Sequence, residues 1–287
     1  MNFEITYFFY AALGSVLVGL SKGGLPSTGM LAVPILSLSI SPIHATTLLL
    51  PIYIISDAVG VWLYRKNFSA FNVKILTQGG LLGVFVGWLT ATVISEVVVT
   101  FLIGFIGISF CLNSWLRKVK NAEPKQPKTL PGLFWGSLAG FTSFISHAGA
   151  PPFQVYVLPQ KLSKADFAGT ATLVFAVINL AKIWPYQDLR PYQWGDLMDA
   201  VYLIPFAIAG TYAGAILTKK IPDKLFFLWV QIGLFLISLK LIWSSFGESF
   251  LNEFGCLYER FSACECECVL QQLLRFLRFT RALQPII

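Results

Sequence analysis

Lys22 and His147 hold matching places in two stretches of a 287-residue chain. Lys22 lies in SKGGLPSTGMLAVPIL and His147 in GFTSFISHAGAPPFQVYVLP, each just ahead of glycine and proline residues that interrupt an apolar run. A shift of 125 positions carries Lys22 onto His147, Gly24 onto Gly149, Pro26 onto Pro151, Pro34 onto Pro159 and Thr47 onto Thr172. A helix that restarts after such a break presents free N–H groups and a partial positive charge, so two converging restarts would form an anion site. Lys22 would give that site a fixed charge, and His147 a titratable one suited to a proton-coupled step near neutral pH. Ser21, Ser27, Thr28, Ser143, Ser146 and Gln154 would add neutral hydrogen bonds, and Gly23, Gly24 and Gly149 close backbone. The plainer alternative has Lys22 snorkelling to an interface and His147 satisfying a buried carbonyl.

The same shift pairs Asp57 with Lys182. Asp57 would neutralise a site lysine or relay protons, or else only tie down one end of its helix. Lys182 would balance charge, or reach an interface beside Trp184 along its long stem. Other chemistry finds little support. Two histidines exclude an HExxH cluster, no phosphate-binding loop occurs, and the Cys264, Cys266, Cys268 triplet matches no standard zinc spacing. No cofactor, metal or catalytic residue is expected.

These groups must be positioned by helices in lipid. Hydrophobic residues make up 56% of the chain and charged residues 12%, far from the balance of a soluble domain. Apolar stretches of roughly 16–25 residues, the length that spans a hydrocarbon core, fill nearly everything outside residues 118–130 and a C-terminal tail. The fold class expected is all-α, a polytopic helical membrane protein. Broken segments cover 5–40 and 131–160, and crossings fall at about 42–64, 72–95, 97–117, 162–184, 194–218 and 222–246. The net charge of +7 sits in short loops, which fits membrane orientation better than nucleic-acid binding. Met1-Asn2-Phe3-Glu4 lacks the basic start of a secretory signal, so the first segment reads as mature protein.

The polar linker VKNAEPKQPKTLP divides the body into residues 1–117 and 131–246, with a tail at 247–287. A shift of 127 carries Gly83 and Gly87 onto Gly210 and Gly214, small-xxx-small pairs that let helix backbones approach. If each broken segment turns back on itself, a half contributes an odd number of crossings and the repeats are inverted. The loops with Arg65, Lys66 and Lys74, then 117–128, then Lys161 and Lys164, then Lys219, Lys220 and Lys224 then share one face, which should be cytoplasmic. Residues 185–193, with Asp188, Arg190, Tyr186 and Tyr192, would form an outer loop. Irregular backbone in lipid survives only where protein covers it or it lines a cavity, so the breaks mark the expected site of a transporter.

The first break, the following LLLPIYIISDAVGVWLYR, and above all GFTSFISHAGAPPFQVYVLPQKL resemble the TauE/SafE sulfite exporter family, also called the 4-toluene sulfonate uptake permease family, over most of residues 5–246. The resemblance implies a multi-pass inner-membrane transporter of small anions such as sulfite, sulfonates or related organosulfur and carboxylate anions, working by alternating access. It places the family's Gly/Pro signatures on Lys22–Pro26 and His147–Pro152. Partners expected are the anion, the bilayer, a coupling proton or ion and a second copy of the chain. The tail departs from the family pattern and is expected to be non-essential. The alternative is a membrane scaffold or assembly subunit on the same fold; it would need large soluble loops, and the longest internal one is the 118–130 linker.

Overall fold

The computed structural model describes residues 2–40, 42–91, 101, 104–105, 107–109, 111–112, 115, 124–189 and 191–247. The expected crossing at 97–117 falls largely outside them, as do residues 118–123 of the linker and the tail beyond Gly247. The described elements are helices: α1 (Asn2–Lys22), α2 (Pro26–Gly29), α3 (Ala32–Leu36), α4 (Pro42–Tyr64), α5 (Ala70–Thr90), α6 (Thr129–Ser146), α7 (Ala150–Val157) with a 3-10 turn (Leu158–Gln160), α8 (Lys164–Ala181), α9 (Ile183–Leu189), α10 (Trp194–Lys220) and α11 (Asp223–Gly247). Among these, six stretches are long and apolar enough to cross a membrane: Ile5–Lys22, His44–Tyr64, Ala70–Thr90, Lys164–Leu189, Trp194–Lys220 and Leu225–Trp243. Side chains that would cost free energy in water, such as Trp229, Leu236 and Trp243, are exposed on this body, as lipid requires.

Both broken segments fold back. After α1 ends at Lys22 the chain returns along it, so that a Cβ on Gly14 would touch Ala32 and Thr28 Oγ1 lies 3.1 Å from Leu17 O. Gly24 makes this reversal with φ 120°, and a Cβ there would fall 2.5 Å from Thr218 Oγ1. In the second segment the reversal falls on His147 itself, the left-handed C-cap of α6 at φ 54°, ψ 22°. The Ala148 N–H closes the cap on Thr142 O at 3.2 Å.

The restarted helices are short. Beyond the first break the helix is split into α2, of four residues, and α3, of five. Pro34 has no N–H to give Met30, and its ring crowds the Met30 carbonyl, which places the interruption between α2 and α3. The same residue type relocates a boundary later in the chain. Pro185 crowds the carbonyl of Ala181 and ends α8 there, after which the chain stays helical as α9 through Leu189. Most of the expected outer loop at 185–193 is therefore helix.

The two halves of the sequence interleave. α1 packs along α10, and its counterpart α6 packs along α5, the counterpart of α10; α4 and α8, which also correspond, meet each other. Glycine makes the close approaches: a Cβ on Gly83 would fall 1.9 Å from Ser137 O, one on Gly210 2.5 Å from Val16 O, and one on Gly140 2.0 Å from Gly80 O. Corresponding glycines thus seat corresponding helices in both halves.

Candidate anion site at the two chain breaks

The ends of α1 and α6 meet in the interior, between α4 and α8. Lys22 Nζ, at the end of α1, lies 2.8 Å from Asp57 Oδ1 on α4, with both side chains buried. Asn179 Nδ2, on α8, donates to Asp57 Oδ2 at 2.6 Å. The Lys22 ammonium also faces the rings of Tyr53 and Phe175, 5.0 and 5.4 Å from their centroids, so aromatic quadrupoles supplement the carboxylate. Lys22 is paired inside the protein and does not snorkel.

Lys182 corrects the interface reading more sharply. It is fully buried at the junction of α8 and α9, and it turns inward instead of following its stem to Trp184. Its Nζ donates to Ser143 O at 3.0 Å and Ser143 Oγ at 3.2 Å, and lies 2.8 Å from His147 Nδ1. Three acceptors match the three N–H donors of an ammonium. His147 Nε2 lies 3.1 Å from Thr46 O. A carbonyl can only accept, so Nε2 carries the hydrogen and Nδ1 is the acceptor for Lys182. That assigns a neutral imidazole, and it shows His147 satisfying a buried carbonyl while also facing a cation. The ring stacks on Tyr53, centroids 4.5 Å apart at 18°. Tyr53 in turn donates to Gly29 O at 2.8 Å.

A small cavity of 30 Å³ separates the two breaks, with Ser21, Lys22 and Gly29 on one side, Ser143, His147 and Ala150 on the other, and Tyr53 and Asn179 completing the wall. This is room for about one water molecule. Around it lie two buried lysines, one carboxylate and one imidazole.

The remaining expected residues divide into those that face this cavity and those that hold the breaks together. Gly23 O accepts from Tyr64 Oη at 2.6 Å and Thr218 Oγ1 at 3.1 Å, and Thr172 Oγ1 lies 3.2 Å from Lys22 O, so the carbonyls freed by the end of α1 are satisfied by α4, α8 and α10. Gln154 Nε2 donates to Ser27 Oγ at 2.8 Å and ties α7 to α2. The Thr28 hydroxyl is occupied by the backbone of its own hairpin. Thr28, Ser27, Ser146, Gln154, Gly23, Gly24 and Gly149 are not part of the cavity wall. With α2 only one turn long, little dipole is available at the first break.

Tyr53, Asn179 and Thr46 enter the cluster without a signal in the sequence, since each is a neutral residue inside an apolar helix. His44 is a further addition: its Nε2 lies 2.7 Å from Asp196 Oδ1 and links the starts of α4 and α10. Among the described residues no group of three or more His, Cys, Asp or Glu is placed to hold a metal ion.

A body of apolar spans folded around two hairpin breaks, with lysines buried against a carboxylate and an imidazole at its centre, defines a polytopic helical membrane protein with an ionisable interior site. The profile of the family described as sulfite exporter TauE/SafE matches residues 11–241. The chain belongs to that family. Comparisons with curated proteins and with solved structures found no match.

Proposed function

We propose that this chain carries small oxyanions, with sulfite, sulfonates and related organosulfur or carboxylate anions as the substrate class, across the cell inner membrane by alternating access. The observation that carries the reading is the buried cluster at the two breaks, where Lys22 and Lys182 outnumber Asp57. Uncompensated positive charge in a dry interior is costly, and a bound anion relieves that cost. The family described as sulfite exporters supports the same substrate chemistry. The contact pattern, in which α1 meets α10 as α6 meets α5, supports two inverted halves related by an axis in the membrane plane, an arrangement that places a shared site at the repeat interface.

A coupling proton is assigned to His147. Its Nδ1 is engaged by Lys182 in the present arrangement and becomes able to take a proton once that ammonium turns to an anion. Purified protein in proteoliposomes, loaded with a panel of anions including sulfite, sulfate, acetate and an alkyl sulfonate, with and without an imposed pH gradient, tests both statements. Saturable flux of sulfite or a sulfonate that responds to the gradient is expected. Absence of flux for every anion would overturn the transport reading.

A further inference from the structure

We infer that Lys182 supplies the charge an anion at the two breaks neutralises, while Lys22 and Asp57 form a neutral internal pair. The inference rests on the anion reading above and assigns its electrostatics to particular residues. Lys22 already has a carboxylate at 2.8 Å. The polar neighbours of Lys182 Nζ are the Ser143 carbonyl and hydroxyl and the His147 ring nitrogen, all uncharged. Among the described residues the ion pairs within 4 Å are Lys22 with Asp57 and His44 with Asp196, so Lys182 stands outside any pair.

Position supports the assignment. Ser143 and His147, which hold Lys182, are themselves part of the cavity wall. Lys182 thus stands one side chain behind the space an anion would occupy, where its field is little screened. Its place at the junction of α8 and α9, which Pro185 opens, lets a shift of α9 against α8 change how closely the ammonium approaches the cavity. The groups facing it are His147 and the ring of Tyr186, with its centroid 5.8 Å from Nζ, and the charges acting on it are those of Lys22 and Asp57. Asp57 is the sole carboxylate among them.

The charge argument makes predictions of opposite sign that a purely structural role would not produce. In purified full-length protein, sulfite affinity is measured by titration of thermal stability and by competition in flux. Lys182→Gln, which keeps a donor for Ser143 but removes the charge, is expected to weaken sulfite binding at least about tenfold. Asp57→Asn, which removes the compensating carboxylate, is expected to tighten it. The double variant is expected to return to within about threefold of the parent, because its net charge is restored. Unchanged affinity in folded Lys182→Gln, or shifts of the same sign in both single variants, overturns the inference while leaving transport itself intact. Should a single variant fail to fold, Lys182→Gln is added to the Lys22→Gln, Asp57→Asn background, in which the neutral pair is already gone, and is expected to weaken sulfite binding there at least about tenfold relative to that background; no further loss also overturns it. Lack of sulfite flux or binding in the parent protein would instead count against sulfite as substrate and remove the basis of both readings.

Discussion

The Lys22 ammonium and the Asp57 carboxylate, 35 residues apart, meet at 2.8 Å, and His147 and Lys182, also 35 apart, meet at the same distance. A shift of 125 positions turns one pair into the other, with the order of charge exchanged: a cation on the first break pairs with a carboxylate, and an imidazole on the second pairs with a cation. The two pairs therefore share the geometry of a contact from hairpin end to following helix and differ in chemistry. One half holds a closed ion pair and the other a lysine whose polar partners are uncharged.

Removing Lys22 alone should harm the protein in two ways. Lys22→Ala leaves Asp57 buried with only Asn179 as partner, and breaking a buried pair by deleting one member typically costs about 3–5 kcal/mol. The unpaired carboxylate also cancels the charge of Lys182, so sulfite affinity should fall roughly ten- to a hundredfold. Lys22→Ala with Asp57→Ala should recover most of the lost stability. Thermal unfolding in detergent, alongside flux in proteoliposomes, checks both effects; a double variant no more stable than the single would show that the pair is not the source of the loss.

The glycine seats predict a second loss. A Cβ at residue 140 would lie 2.0 Å from Gly80 O, and backbone cannot move aside as a flexible side chain does. Gly140→Leu should therefore push α6 off α5 and lower the unfolding temperature markedly, overpacking alone costing about 1–3 kcal/mol. Gly195, where nothing lies within 4 Å of an added Cβ, supplies the control: Gly195→Ala should unfold with the parent.

Much of this was legible in the chain because lipid makes polarity and helix breaks expensive. Lys22 and His147 stood out as ionisable groups beside Gly/Pro interruptions, and the 125-residue shift tied Asp57 to Lys182. Family membership followed from the residues around those breaks. What the sequence hid is direction. A lysine near a span's end beside Trp184 looks the same whether it turns outward or inward, and the choice was made by Ser143 and His147, some forty residues away, and by the kink at Pro185. Proline geometry also explains the boundary displaced from 184 to 189, because periodicity shows an apolar run but not which carbonyl a ring will crowd. Tyr53, Asn179 and Thr46 were invisible for a simpler reason: uncharged residues in apolar helices carry no mark of a polar neighbour.

The last described helix ends at Gly247, and the family profile ends at residue 241. Both hairpins, the cavity wall and the glycine seats lie before that point. Deleting residues 248–287 should leave expression, thermal stability and sulfite flux equal to those of the full chain. Loss of flux from a truncated protein that remains folded and inserted would give the tail a role.

Orientation is open to direct chemical test. The basic residues Arg65, Lys66, Lys125, Lys128, Lys161, Lys164, Lys219 and Lys220 fall at ends of helices or in connections that the inverted arrangement places on one face. Three of these connections touch in series: the Lys125 N–H donates to Pro159 O at 3.0 Å, and Lys164 Nζ donates to Ile221 O at 2.6 Å. These contacts put the end of the linker beside the turn after α7, and the start of α8 beside the connection from α10 to α11. Gln187, on α9 at the far end of the stretch Lys164–Leu189, is expected on the opposite face. On a background without the native cysteines, a cysteine at Gln187 should react with a membrane-impermeant maleimide in intact cells, and one at Lys125 only after permeabilisation, since basic connections are retained in the cytoplasm. Labelling in the reverse sense would invert the assigned orientation. Labelling of both positions in intact cells would place linker and α9 on the same face and would exclude an odd number of crossings between them.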